Sequence, residues 1–223
     1  PSRIHWRSSA KHDEFRVKEF QESIVTDVSI FLDLNRMGLT GLGEHTSFEY
    51  AVKAAGIIAR TSIEKSHLVQ LIMLGQNGEH IPLGTGQRHL LMILDRLAFA
   101  KAEYNSSFEE QLLQTIPHLR RGGTTILIQS ITTIQHAKMD EIVSAMQLRQ
   151  ITPVMVGIDD RDFLKLYREQ EDSHVSALSV DEIIRELALR GMRMHVATKD
   201  TEPLRALTTA LERPAFSSGE ADA

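Results

Sequence analysis

Asp33, Asn35 and Met37 stand at alternate positions at the end of an apolar, strand-forming run that begins at Val28. In open α/β sheets, ligands bind just beyond the carboxyl ends of the strands. A carboxylate at that place, followed two residues later by a side-chain amide, is how a site for a hard divalent cation begins. Asp33 and Asn35 supply the oxygen such a cation wants, whereas the thioether of Met37 does not. The alternative is a strand-end aspartate that caps nearby backbone amides, with Asn35 in a turn.

Other residues invite chemistry and lack its pattern. Gly84-Thr85-Gly86 precedes a helix, and helix N-termini attract anions. The third glycine of a dinucleotide fingerprint is missing, however, and so is the Lys-Ser or Lys-Thr of a phosphate loop. Ten histidines are scattered without His-Glu-x-x-His or His-x-His spacing, so packing or surface roles are expected of them. Gly-x-Ser-x-Gly is absent. Asp159-Asp160-Arg161-Asp162 could hold a cation, although such clusters more often form solvated turns that cap the next helix. Arg120-Arg121 is expected to complement a helix dipole. With no cysteine, disulfides, thiolate metal sites and cysteine nucleophiles are excluded.

The elements that must position these residues can be read from periodicity. Val28–Asp33, Leu68–Leu74, Thr124–Gln129 and Thr152–Gly157 are near-continuous apolar runs, as expected of strands covered on both faces. Phe15–Phe20 alternates and reads as a short edge strand, and Met192–Ala197 as another short strand. Asn77-Gly78 predicts a hairpin turn into Glu79–Leu83. Apolar residues at helical spacing predict a helix over Thr46–Lys65, capped by Thr46 or Ser47, and another through Leu90, Leu91, Leu94 and Leu97. The next helix begins near Ser106-Ser107, where Ser107 and Glu110 have capping-box spacing, and Pro117 is expected to kink its last turn. Met139–Gln150, Val180–Arg190 and Pro203–Arg213 complete the helices, and the small polar tail is read as disordered. This alternation predicts an α/β fold: a doubly wound, mostly parallel sheet with helices on both faces.

The whole chain is 223 residues long, 42% hydrophobic and 25% charged, with a formal net charge of -5. These values describe a globular domain with a sizeable core and speak against a nucleic-acid partner. No stretch reaches the roughly 18 apolar residues of a membrane-spanning helix. The opening Pro1-Ser2-Arg3, without a methionine, reads as part of something longer, and a membrane anchor could lie upstream.

Arg3-Ile4-His5-Trp6-Arg7-Ser8-Ser9-Ala10-Lys11 resembles the signature of a bacterial group, domain-of-unknown-function family fifty-eight. Arg3, Ile4, His5, Trp6, Arg7, Ser9 and Ala10 carry the likeness, and Trp6 is read as an anchor for the N-terminal segment. The resemblance implies a von Willebrand factor A-like domain over residues 27–213, preceded by the signature segment at 1–26 and followed by a tail at 214–223. It also implies a metal-ion-dependent adhesion site of the form Asp-x-Ser-x-Ser, a later Thr and a second Asp. Position by position, Asp33 keeps the first aspartate, while Asn35 and Met37 replace the two serines. Ser106 or Ser107 falls at the threonine, and Ser130 replaces the second aspartate. With one carboxylate of two, such a site would bind Mg2+ weakly or not at all.

The resemblance further implies a non-catalytic protein-interaction module working with a MoxR-type AAA+ ATPase in assembling or maturing protein complexes, on the cytoplasmic side of a membrane. The competing readings are a Mg2+-dependent adhesion-type binding domain and a nucleotide-using enzyme of the doubly wound class.

Overall fold

The computed structural model describes residues 25–42, 45–75, 78–102, 107–164 and 179–198. The chain runs from β1 (Asp27–Asp33) through the short antiparallel pair β2 (Gly41–Leu42) and β3 (His45–Thr46) into α1 (Ser47–Glu64). It continues through β4 (Leu68–Leu74), β5 (His80–Gly84), α2 (Gln87–Ala98) and α3 (Phe108–Thr115). Then follow β6 (Thr124–Ser130), α4 (His136–Leu148), β7 (Thr152–Ile158), the short α5 (Arg161–Leu164), α6 (Val180–Leu189) and β8 (Arg193–Ala197).

The four continuous apolar runs become the four inner strands of a six-stranded sheet ordered β5-β4-β1-β6-β7-β8. Every neighbouring pair is parallel except β4 with β5, which form the antiparallel hairpin. Each inner strand sends alternate residues to opposite faces. Ile30 and Leu32 meet α1 and α2 in one core, whereas Phe31, Leu127 and Met155 meet α3, α4 and α6 in the other. The chain moves outward from β1 to β4 and β5, then returns across the sheet to β6 on the far side of β1. The connections therefore diverge between β1 and β6, and the crevice at their carboxyl ends is where ligands of such sheets bind.

α1 lies on the centre of the sheet because Ala51, Ala54, Ala55 and Ala59 give it a narrow buried face. Thr46, one of the two expected caps, accepts from the Glu49 amide at 3.1 Å. α4 starts three residues before the expected Met139 and stops at Leu148. Pro117 sits in a separate 3-10 turn (Ile116–His118) after α3, so it ends the helix rather than bending it. The signature segment with Trp6, the strand at 15–20, Asn77, Ser106, the helix at 203–213 and the tail lie outside the described residues. Among the described residues, no helix is long and apolar enough to cross a membrane.

Candidate functional site at the carboxyl end of the sheet

Asp33 ends β1 pointing to the α3 face, with only 8% of its surface exposed. Its Oδ1 accepts from the Asn35 amide at 2.8 Å. Asn35 caps a 3-10 turn (Arg36–Gly38), and its Oδ1 accepts from the Met37 amide at 3.0 Å. Each polar side chain thus closes a short ring over the backbone two residues on, the habit of Asp and Asn at turns. Met37 is left 70% exposed at the tip. Gly38 locks the turn down: its carbonyl accepts from Ser130 Oγ at 2.9 Å and from Ser47 Oγ at 2.7 Å. A Cβ at this position would lie 2.5 Å from Ser130 Oγ, so any larger residue must displace the Ser130 side chain.

On the opposite wall, Ser107 caps α3, accepting from the Glu110 amide at 3.3 Å. The same hydroxyl accepts from Gln135 Nε2 at 3.3 Å. The fold therefore gathers Asp33, Asn35 and Ser130 about one turn and sets Ser107 at the head of the facing helix. Among the described residues, the donor set expected for an adhesion-type metal does not fit as arranged. The Asn35 oxygen and the Ser130 hydroxyl are engaged with backbone, and Met37 points outward.

Two residues of this crevice escape the sequence reading. Glu109, in the first turn of α3, is 1% exposed, and its Oε1 accepts from Gln129 Nε2 at 2.9 Å and from the Gln135 amide at 3.0 Å. Gln129, also 1% exposed, projects from the end of β6. A signal for Glu109 exists: it falls three and seven residues before Leu112 and Ile116, on the apolar stripe of its helix. Burial pushes the Asp33 carboxyl up to about 7, the nearby Glu109 carboxylate adds to this, and the bond from the Asn35 amide opposes it.

The acidic turn after β7 departs from the solvated cap expected for it. Asp160 is buried, and its carboxylate accepts from the Thr132 hydroxyl and from the Thr132 amide at 3.3 Å. Burial raises its carboxyl above the ordinary range, against those bonds. Asp159 pairs with the Arg161 guanidinium at 2.8 and 3.0 Å. The Asp160–Thr132 bonds staple the end of β7 to the turn after β6, whereas the Asp159–Arg161 pair is local. Arg120 pairs with Asp27 at 3.2 Å. Gly86 heads α2 without a side-chain cap, and the nearby His89 bonds the Val69 carbonyl at 2.8 Å, a packing role. Among the described residues, no three His, Asp or Glu side chains gather as a metal cluster would require.

The fold is a doubly wound α/β sheet, consistent with the von Willebrand factor A-like domain that the family resemblance implies. It is similar to the crystal structure of an aerotolerance-related membrane protein from Bacteroides fragilis carrying multiple mutations to serines. That likeness has a TM-score of 0.56 at 9% identity, over 84% of this chain and 98% of that one. A manganese-loaded TRAP protein from Plasmodium vivax aligns with a TM-score of 0.44 at 13% identity, over 75% of this chain and 74% of that one. Among curated proteins there is no match. The sequence profile of the family described as Protein of unknown function DUF58 matches residues 2–166, well over half of the chain, and the chain belongs to that family.

Proposed function

We propose that this domain is a non-catalytic protein-interaction module that uses the carboxyl end of its sheet as the docking edge. The observation that carries the reading is the turn at 35–38. Polar groups that could have faced a ligand instead hold the backbone of the turn, and the fixed turn presents Met37 to solvent. A rigid tip bearing an exposed thioether suits contact with an apolar pocket on another protein, because methionine adapts its shape at interfaces. Such a contact needs no bridging metal. The family resemblance supplies the finer proposal: the partner is a MoxR-type AAA+ ATPase, met at the cytoplasmic face of a membrane.

Co-elution of the purified chain with the cognate ATPase in gel filtration, with and without nucleotide, tests this. Association is expected, and Met37→Glu should weaken it about tenfold or more by burying a charge in the contact. No association under either nucleotide condition, or wild-type affinity in Met37→Glu, would overturn the proposal.

A further inference from the structure

We propose that the outer face of α2 pairs, antiparallel, with the same face of a second copy of this chain. The helix buries Leu90, Ile93 and Leu97 in the core on the α1 side of the sheet. Leu91, which the sequence pattern counts with that apolar set, is instead 57% exposed, beside Met92 at 44%. Phe99, one residue past the helix, is 73% exposed. Positions 88, 91, 92, 95 and 99 recur at helical spacing and form one stripe opposite the buried one. The water-facing stripe of a helix is ordinarily polar, yet this one carries three large apolar side chains and only two charges, Arg88 and Asp95.

Those two charges say what covers the stripe. Both are exposed, and among the described residues neither has an ion-pair partner. They stand seven residues apart, about 10 Å along the axis, too far to meet within the helix. For the helix alone their placement is unfavourable. Arg88 lies in the first turn and Asp95 in the last, each at the end of the dipole that repels its charge. Arg88 and Asp95 are, however, equidistant from the midpoint between Leu91 and Met92. A two-fold axis at that midpoint sets Arg88 of each copy against Asp95 of the other, and gathers Leu91 and Met92 of both copies about the axis. The same operation carries each Phe99 over the Gly84-Thr85-Gly86 turn of the other copy. At Gly86 no heavy atom lies within 4 Å of the place a Cβ would take, which leaves room for the ring.

One short helix from each copy makes a small interface, below about 1,200 Å² in total, so the dimer is reversible, with a dissociation constant of about 10–100 μM. The stripe lies on the opposite side of the sheet from the Asp33 side chain, so this pairing is separate from the docking edge.

Sedimentation equilibrium of the 223-residue chain alone, from about 5 to 500 μM, tests the pairing without any other protein, so its outcome is separate from that of the interaction reading. A monomer–dimer equilibrium is expected. Asp95→Arg and Arg88→Asp should each weaken it about tenfold or more, because like charges then face each other twice. The double exchange, Arg88→Asp with Asp95→Arg, should restore it to within about threefold of wild type, which an unrelated change in surface charge would not do. All these positions are exposed, so the variants should fold as the wild type does. A chain that stays monomeric throughout would overturn the proposal, as would a dimer indifferent to Asp95→Arg or a double exchange no tighter than the single variants. If the monomer instead floats with phosphatidylglycerol-containing vesicles, and Phe99→Ser abolishes this, the face belongs to a membrane and the pairing is equally overturned.

Discussion

At Asp33 a single carboxyl group couples burial to pH. Its folded-state pKa of about 7 lies above the ordinary 3.8, so the folded protein keeps a proton that the unfolded chain releases. The stability tied to that proton is fully present below about pH 4 and is lost as pH rises toward 7. In a chelator-containing buffer, Asp33→Asn should therefore raise stability at about pH 8, by as much as about 4 kcal/mol, with little change at about pH 4. Urea midpoints at the two pH values measure this, and equal midpoints for variant and wild type at about pH 8 would refute it. Asp33 was legible in the sequence because strand ends are readable. Glu109 is easily passed over as one acid in Glu109-Glu110, although its place on the apolar stripe of α3 sets it apart from Glu110, whose carboxylate meets Lys138 at 2.6 Å.

Two short elements hold the walls of the crevice, and each makes a prediction. Gly38→Ala forces a methyl group against Ser130 Oγ and should destabilise the protein by about 1–3 kcal/mol, read from thermal unfolding. Ser107→Ala removes the cap of α3 and should cost about 1 kcal/mol. The Ser107 cap was readable from Ser-x-x-Glu spacing, but the reciprocal half of the box was not. Glu110 turns instead to Lys138 of α4. The complete box forms at the head of α6, where the Glu182 carboxylate accepts from the Ser179 amide at 2.7 Å.

For the whole molecule, two cores flank one sheet, and Phe31 stands at the centre of the core that supports the crevice. It is fully buried, so Phe31→Ala should cost about 3–5 kcal/mol and lower the denaturant midpoint without altering the fold. The return of the chain from β5 across to β6 is what opens the crevice beside Asp33. It also leaves the acidic turn after β7 as a staple rather than a ligand, since Asp160 meets Thr132 across the strand ends.

Among the described residues, the sequence by itself determined the six strands of the main sheet, most helix positions and the doubly wound class, because apolar periodicity and short capping motifs are local properties of the chain. It also marked Asp33 as the place to look. Only the tertiary structure decided what surrounds that residue. The local turn of Asp33 and Asn35 is among the sequence readings. Register, however, placed Gln129 beside Asp33, helix packing aimed Glu109 inward rather than Glu110, and the fold drew Ser130 onto the Gly38 carbonyl. Those outcomes depend on contacts between residues some twenty to ninety positions apart, Gln129 with Glu109 and Ser130 with Gly38, and no local pattern encodes them.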